Sequence, residues 1–306
     1  MSASEVSERA TAPISDEAFA ALRHTRQHDP EAIAAALTAR QRRPLVDGDG
    51  RLFIVAADHP ARGSLGVREK ALAMANRYEL LQRLALALAR PGVDGVLATP
   101  DIVDDLALLG MLENKIAVGS MNRGGLRGAV FEIDDRYTGY DVAAMLAARI
   151  DAAKVLVRVD LQDASTARTL EATARAVTEA AFAKLPIMIE PFMSRTVDGK
   201  VANDLSAEAV IKSVSIASAL GTSSAYTWLK LPVVDGMERV MEATTLPTLL
   251  LGGDSGGDPD QLYSSWQSAL ALPGVRGLVV GRSLLYPADD DVVQAVDTAA
   301  ALVHGG

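Results

Sequence analysis

Residues 154–190 read KVLVRVDLQDASTARTLEATARAVTEAAFAKLPIMIE. The stretch opens on a short β-branched run, KVLVRV (154–159), and closes on another apolar run, PIMIE (186–190). Between them, residues 165–184 carry Ala, Thr, Glu and Arg at helical period. This spacing predicts a strand, a crossover helix and a second strand. Strands that read as apolar runs and alternate with helices belong to a parallel sheet covered by helices.

The same rhythm extends in both directions. Further strand-like runs are LFIVAA (52–57), GVLA (95–98), IAVG (116–119), YTWLKL (226–231), PTLLLG (247–252) and GLVVG (277–281). Helix formers fill 69–90, 138–151, 206–219 and 260–271. Eight strand–helix units point to one closed (β/α)8 TIM barrel over residues 46–306. The alternative, a doubly wound open sheet, would usually place a Gly-rich turn after its first strand, and AADHPARG (56–63) has no G-x-G-x-x-G. Residues 1–45 form a short helical extension: a polar tail to Ser15, a helix over Asp16–Arg23, and a second from Asp29-Pro30 to about Arg40.

Composition narrows the function. The 306 residues carry 30 Lys and Arg against 39 Asp and Glu, a net charge of −9. An acidic chain without a basic run is not expected to bind nucleic acid or an anionic membrane. The absence of cysteine removes disulfides and thiolate chemistry, and four histidines (His24, His28, His59, His304) make a multi-histidine metal site unexpected. No apolar run reaches the roughly 18 residues of a membrane span, and the N-terminus lacks the pattern of a secretory signal. The expected setting is a cytoplasmic homo-oligomer that needs no metal or other cofactor.

In a barrel of this kind the chemistry sits at the C-terminal ends of the strands. Polar residues there include Asp58, His59, Thr99, Asn122, Arg123, Glu190 and Arg282. Lys230 lies inside YTWLKLP, an otherwise apolar strand. Burial disfavours a charged amine, and a neutral amine in a confined pocket can attack a ketone to form a Schiff base; a lysine that merely pairs with a carboxylate in the barrel layer is the alternative. Period-2 alternation puts Lys154, Leu156, Arg158 and Asp160 on one side of their strand. Glu190, before Pro191, is placed to move protons near an imine. LLLGGDSGGDP (249–259) and LVVGRSLLY (278–286) end strands seven and eight, where barrels often hold phosphate. Gly252, Gly253, Ser255, Gly256, Gly281 and Arg282 are the candidate cradle.

With these residues in view, the chain resembles the class I (Schiff-base) aldolases of the deoxyribose-phosphate/tagatose-bisphosphate/archaeal-type fructose-bisphosphate group, which are (β/α)8 barrels. The resemblance covers about residues 50–285 and rests on K-V-L-V-R-V-D, P-I-M-I-E-P, W-L-K-L-P and G-R-S-L-L. It implies that Lys230 is the Schiff-base lysine, Lys154 an accessory lysine, Glu190 the acid/base glutamate and Asp58 the first-strand aspartate. Two departures stand out. The segment Asp58–Leu65 is two residues longer than the group's Asp-Gln-Arg-Gly-Ser-Leu, and Arg158 and Val159 replace aromatic residues in strand four.

The expected activity is therefore metal-independent cleavage of a phosphorylated ketose or keto-sugar acid to dihydroxyacetone phosphate and an aldehyde. Tagatose or fructose 1,6-bisphosphate and 5-dehydro-2-deoxygluconate 6-phosphate are the candidate substrates. Arg158, with Arg62 and Arg195 near the mouth, is expected to read a second anion; the alternative pairs Arg158 with Asp160 or Glu190. Two other readings remain open: a barrel isomerase or decarboxylase without a covalent intermediate, and a non-catalytic sugar-phosphate-binding barrel.

Overall fold

The computed structural model describes residues 14–253 and 258–305. Eight parallel strands close into a ring: β1 (Leu52–Ala56), β2 (Gly95–Ala98), β3 (Ile116–Ser120), β4 (Ala152–Val159), β5 (Ile187–Val197), β7 (Thr227–Leu231), β8 (Thr248–Leu251) and β9 (Val275–Val280). Closure is made where Leu52–Val55 of β1 pair with Gly277–Val280 of β9. The strand left out of the ring, β6 (Lys200–Asn203), pairs antiparallel with the end of β5.

Helices cover the ring: α3 (Arg77–Leu88), α4 (Pro100–Leu108), α5 (Val142–Ala147), α6 (Ser165–Ala183), α7 (Ala207–Ser218), α8 (Met237–Glu242), α9 (Pro259–Leu270), α10 (Arg282–Leu285) and α11 (Val292–His304). Strand residues therefore face two cores. Leu52, Ile54, Ala56, Ala152, Met188 and Leu249 point inward, while Phe53, Val55, Ala153, Val155, Ile189 and Leu250 point outward against the helices. Each of the larger side chains among them, fully buried, contributes about 1.5–3 kcal/mol. This two-sided burial is why the strands read as continuous apolar runs.

The extension preceding the barrel holds α1 (Asp16–His28) and α2 (Glu31–Ala39). Ser15 caps α1 by accepting a hydrogen bond from Ala18 N at 3.2 Å, and Phe19 stacks edge-on against Tyr78 of α3. Its last residues clamp the N-terminal end of the barrel. Arg40 Nη2 donates to Asp151 Oδ2 at 2.8 Å, and Arg42 Nε to Asp151 Oδ1 at 2.6 Å. Asp151 also accepts from Ala117 N of β3 at 2.8 Å. Arg43 pairs with Asp94, which accepts from Phe53 N of β1 at 2.7 Å.

The structure departs from the sequence reading at two places. Strand five does not stop at Glu190 but runs to Val197, because its end leaves the barrel and pairs with β6. Asp198 and Gly199 make that hairpin turn with φ of 50° and 73°, the left-handed pair that a tight two-residue hairpin requires. Asp160 lies past the end of β4 and is tied to backbone, accepting from Gln162 N and Thr196 N at 2.9 and 3.1 Å, and it does not line the barrel cavity. The expected tail falls mostly on residues outside those described.

Arg40 and Asp151 side chains are 1% and 3% exposed. Removing one partner of a buried pair strands the other charge. Arg40→Met is expected to lower unfolding stability by about 3 kcal/mol, read from urea unfolding; an unchanged midpoint would show that Arg42 alone satisfies Asp151.

Candidate active site

At the C-terminal end of the ring the strands open into a cavity of about 750 Å³. Its floor is built from three adjoining strands. Lys154 of β4, Glu190 of β5 and Lys230 of β7 all point inward, because each is separated by an even number of residues from an inward apolar residue, Ala152, Met188 and Trp228 respectively. Glu190 is shared: its Oε1 lies 2.5 Å from Lys230 Nζ and its Oε2 lies 2.5 Å from Lys154 Nζ. Lys154 Nζ also reaches Asp58 Oδ2 at 3.2 Å, and Asp58 lies just past the end of β1. Asp58 is further bound by Arg123 Nη1 at 3.1 Å and by the Ser120 hydroxyl at 3.0 Å.

All of these groups are buried, so their charges interact at low effective dielectric. Burial alone would raise the Glu190 carboxyl, but the Lys154 and Lys230 ammoniums outweigh it and hold the group well below the usual range. Asp58 behaves in the same way, with Arg123 and Lys154 overriding its burial. Lys154 is pushed down, first by burial and then by Arg123, against the pull of Asp58 and Glu190. His59 is held neutral far into acid, to about 3, first by burial; the neighbouring Arg282, Lys230 and Lys154 cations add to this and Asp58 opposes it.

The walls come from loops. The β1–α3 loop supplies His59, Arg62 and Ser64, and the β3–α5 loop supplies Arg123, Arg127 and Glu132. Glu132 Oε1 binds Arg62 Nη2 at 3.1 Å and Arg158 Nη1 at 2.6 Å. Arg158 lines the cavity but is held by Glu132 and by Asp135 at 3.6 Å, not by Asp160 or Glu190. Arg195 is exposed on the hairpin, whose Lys200, Val201 and Asn203 line the cavity instead.

Of the expected phosphate cradle, Gly252, Gly253, Gly281 and Arg282 line the cavity, whereas Ser255 and Gly256 lie outside the described residues. Packing also explains two of these glycines. A Cβ on Gly281 would sit 2.4 Å from the Ala56 carbonyl oxygen, and one on Gly252 would sit 2.5 Å from Val280 Cγ1. Gly253 adopts a left-handed φ of 66°.

Sequence reading missed Glu132, Arg127 and Lys200. The long, aperiodic stretch between strands three and four was a signal for the first two, since long loops in compact domains tend to be functional. The Asp198-Gly199 pair was the signal for the hairpin that carries Lys200.

Fold and site together define a (β/α)8 barrel with a lysine–carboxylate–lysine contact beneath its C-terminal mouth. The chain belongs to the Cgl0159-like family, which it matches over residues 50–300. The crystal structure of Cgl0159 from Corynebacterium glutamicum is 66% identical, covers 96% of this chain and 99% of that one, and superposes with a TM-score of 0.94. Two fructose-bisphosphate aldolases share the fold at low identity. An archaeal fructose 1,6-bisphosphate aldolase is 18% identical over 90% of this chain and 100% of its own, with a TM-score of 0.63. The enzyme from Slackia heliotrinireducens is 14% identical over 96% and 90%, with a TM-score of 0.62. No curated protein matches the sequence. Among the described residues, no helix is long and apolar enough to cross a membrane.

Glu190→Gln would leave Lys154 and Lys230 facing one neutral amide. We expect a stability loss of about 3 kcal/mol near pH 7. Burial already holds the Lys154 amine below its usual 10.5, and losing the Glu190 charge that draws it up lowers it further, so the folded variant gains more stability than the wild type as pH rises. The loss should therefore shrink between pH 7 and 10 in urea unfolding; a loss that grows with pH would contradict this electrostatic account.

Proposed function

We propose that the protein is a class I, metal-independent aldolase acting on a phosphorylated ketose or keto-sugar acid through a Schiff base on Lys230. The observation that carries this reading is the Lys230–Glu190–Lys154 contact, buried at the floor of a cationic cavity. Among the described residues, eight Lys and Arg side chains line that cavity against three carboxylates, a net +5 within a chain of net −9. Such an interior concentrates anionic substrates. A barrel fold shared with Schiff-base-forming fructose-1,6-bisphosphate aldolase supports the same reading.

Lys230 passes a proton to Glu190 across their 2.5 Å contact, and the freed amine attacks the substrate ketone. Glu190 returns that proton to the carbinolamine hydroxyl, which leaves as water. The resulting iminium accepts the electron pair of the breaking carbon–carbon bond, while the hydroxyl on the departing carbon loses its proton and becomes an aldehyde. Protonation of the enamine and addition of water then release a dihydroxyacetone-phosphate half and regenerate the amine. Lys154 keeps Glu190 and Asp58 in place throughout and balances their charge.

The phosphate of the ketone half is assigned to Gly252, Gly253, Gly281 and Arg282. A second anion falls to Arg127 in preference to Arg158, because Arg158 is neutralised by Glu132 while, among the described residues, Arg127 Nη1 meets only the uncharged Ser64 hydroxyl, at 3.1 Å. Fructose or tagatose 1,6-bisphosphate and 5-dehydro-2-deoxygluconate 6-phosphate meet this requirement.

Borohydride reduction in the presence of dihydroxyacetone phosphate should leave the adduct on the peptide containing Lys230. Lys230→Ala and Lys230→Arg should both lose adduct and cleavage, since guanidinium stays protonated; an unlabelled wild-type protein under turnover conditions would overturn the Schiff-base reading. Loss of a charge-assisted contact costs about 1.5–3 kcal/mol. Arg127→Leu should accordingly lower kcat/KM at least tenfold on doubly anionic substrates and little on fructose 1-phosphate. An equal loss on both would mean that Arg127 shapes the loop and does not read the anion.

A further inference from the structure

Aldol cleavage needs a group that takes the proton of the substrate hydroxyl as the carbon–carbon bond breaks, and a neutral base without a cation on its acceptor atom suits that step better than a carboxylate already engaged by ammonium or guanidinium groups. Three carboxylates line the cavity among the described residues, and each has at least one oxygen held by cations. Glu190 has one lysine on each oxygen. Asp58 Oδ2 is surrounded by Lys154, Arg123 and the Ser120 hydroxyl, and its Oδ1 faces His59 Nδ1 at 3.8 Å. Glu132 takes Arg62 and Arg158 on Oε1 and Gly128 N on Oε2.

His59 is different. It lies in the β1–α3 loop directly after Asp58 and lines the cavity, with a side chain that keeps 27% solvent access. Its Nδ1 is buried without a hydrogen-bond partner, 3.8 Å from Asp58 Oδ1. The accessible part of the ring therefore lies away from Nδ1, which leaves Nε2 to the cavity. The ring also packs close to Gly281: a Cβ there would come within 3.0 Å of His59 Cε1, so the glycine makes room for the imidazole beside the expected phosphate loop.

We propose that His59 is the proton-transfer residue of cleavage, resting on the Schiff-base reading above: Nε2 of the neutral imidazole accepts the hydroxyl proton of the departing carbon and then delivers it to the enamine carbon. In the first half, the O–H bond breaks toward Nε2, the carbonyl of the aldehyde forms, the carbon–carbon bond breaks, and its electron pair neutralises the iminium as an enamine. In the second half the imidazolium gives that proton to the enamine carbon, and the iminium is restored for hydrolysis. Asp58, at the Nδ1 edge, fixes the tautomer and stabilises the transient imidazolium, and an Nδ1–H directed at Asp58 can tighten from 3.8 Å when substrate closes the site. The charged groups acting on the ring are Asp58, Arg282, Lys230 and Lys154; burial first, and the three cations after it, keep the ring unprotonated against the pull of Asp58, and an anion bound at Arg282 raises its basicity.

The test uses dihydroxyacetone phosphate alone, which reports on the enamine without knowledge of the aldehyde. With the full-length protein, borohydride trapping measures the iminium, and deuterium wash-in from D2O at the carbon next to the carbonyl measures proton transfer to and from that carbon. His59→Gln and His59→Asn should keep wild-type trapping, which also reports an intact fold, while wash-in and cleavage fall at least a hundredfold, within the usual range for removing a general acid–base group. The wild-type acid limb of the wash-in pH profile should disappear in both variants. Trapping with wash-in at the wild-type rate would overturn the assignment of His59 alone. Loss of trapping together with wash-in in both variants would place His59 before the enamine and overturn it as the cleavage base. Absence of trapping in the wild type would overturn the Schiff-base reading and this one with it.

Discussion

One carboxylate shared between two ammoniums organises the interior of this barrel. Glu190 reaches from β5 to Lys154 on β4 and to Lys230 on β7, so three neighbouring strands are joined through a single side chain well inside the mouth. Isolated, any of these charges would be costly to bury; together, and extended through Asp58 to Arg123, they satisfy one another. Buried ion pairs of this kind often contribute no more to stability than apolar packing of similar volume. Its consequence is chemical: an amine held beside a proton acceptor, at a fixed distance, with its charge partners already in place.

The same principle of shared carboxylates recurs at both ends of the barrel. Below the strands, Asp151 and Asp94 each take an arginine from the segment that follows α2 and a backbone amide from a strand, which fastens the N-terminal extension to the ring. Above them, Glu132 joins Arg62 of one loop to Arg158 of a strand, and Arg127 N donates to the Arg62 carbonyl at 2.9 Å. These bonds hold two long loops against each other and define one wall of the cavity. Among the described residues, the carboxylates here position cations that outnumber them, which leaves the cavity positive inside an acidic molecule.

Much of this was legible before the fold was known. Apolar strand runs separated by helix formers report burial on both faces, and that pattern survives in a single sequence because each strand must satisfy an inner and an outer core at once. Lys154, Glu190 and Lys230 were conspicuous for the same reason: a charge inside a run of buried residues has no solvent to face. The long β3–α5 loop and the hairpin after β5 were less visible, since loop conformation depends on a few turn residues and distant contacts and leaves no periodic trace.

The sequence by itself determined the eight strands of the ring, their alternation and the inward positions of Lys154, Glu190 and Lys230, because these follow from local period and burial. Tertiary structure alone decided how those charges are partnered. Arg158 was expected to meet a substrate anion, or Asp160 or Glu190; it meets Glu132, twenty-six residues earlier in the chain, because the β3–α5 loop folds back over the mouth. Asp160, in register with the inward residues by number, was drawn instead to the backbone of Gln162 and Thr196, since β4 ends one residue before it. Charge pairing acts through space at a few ångströms, and only the closed ring sets which loops come within that reach.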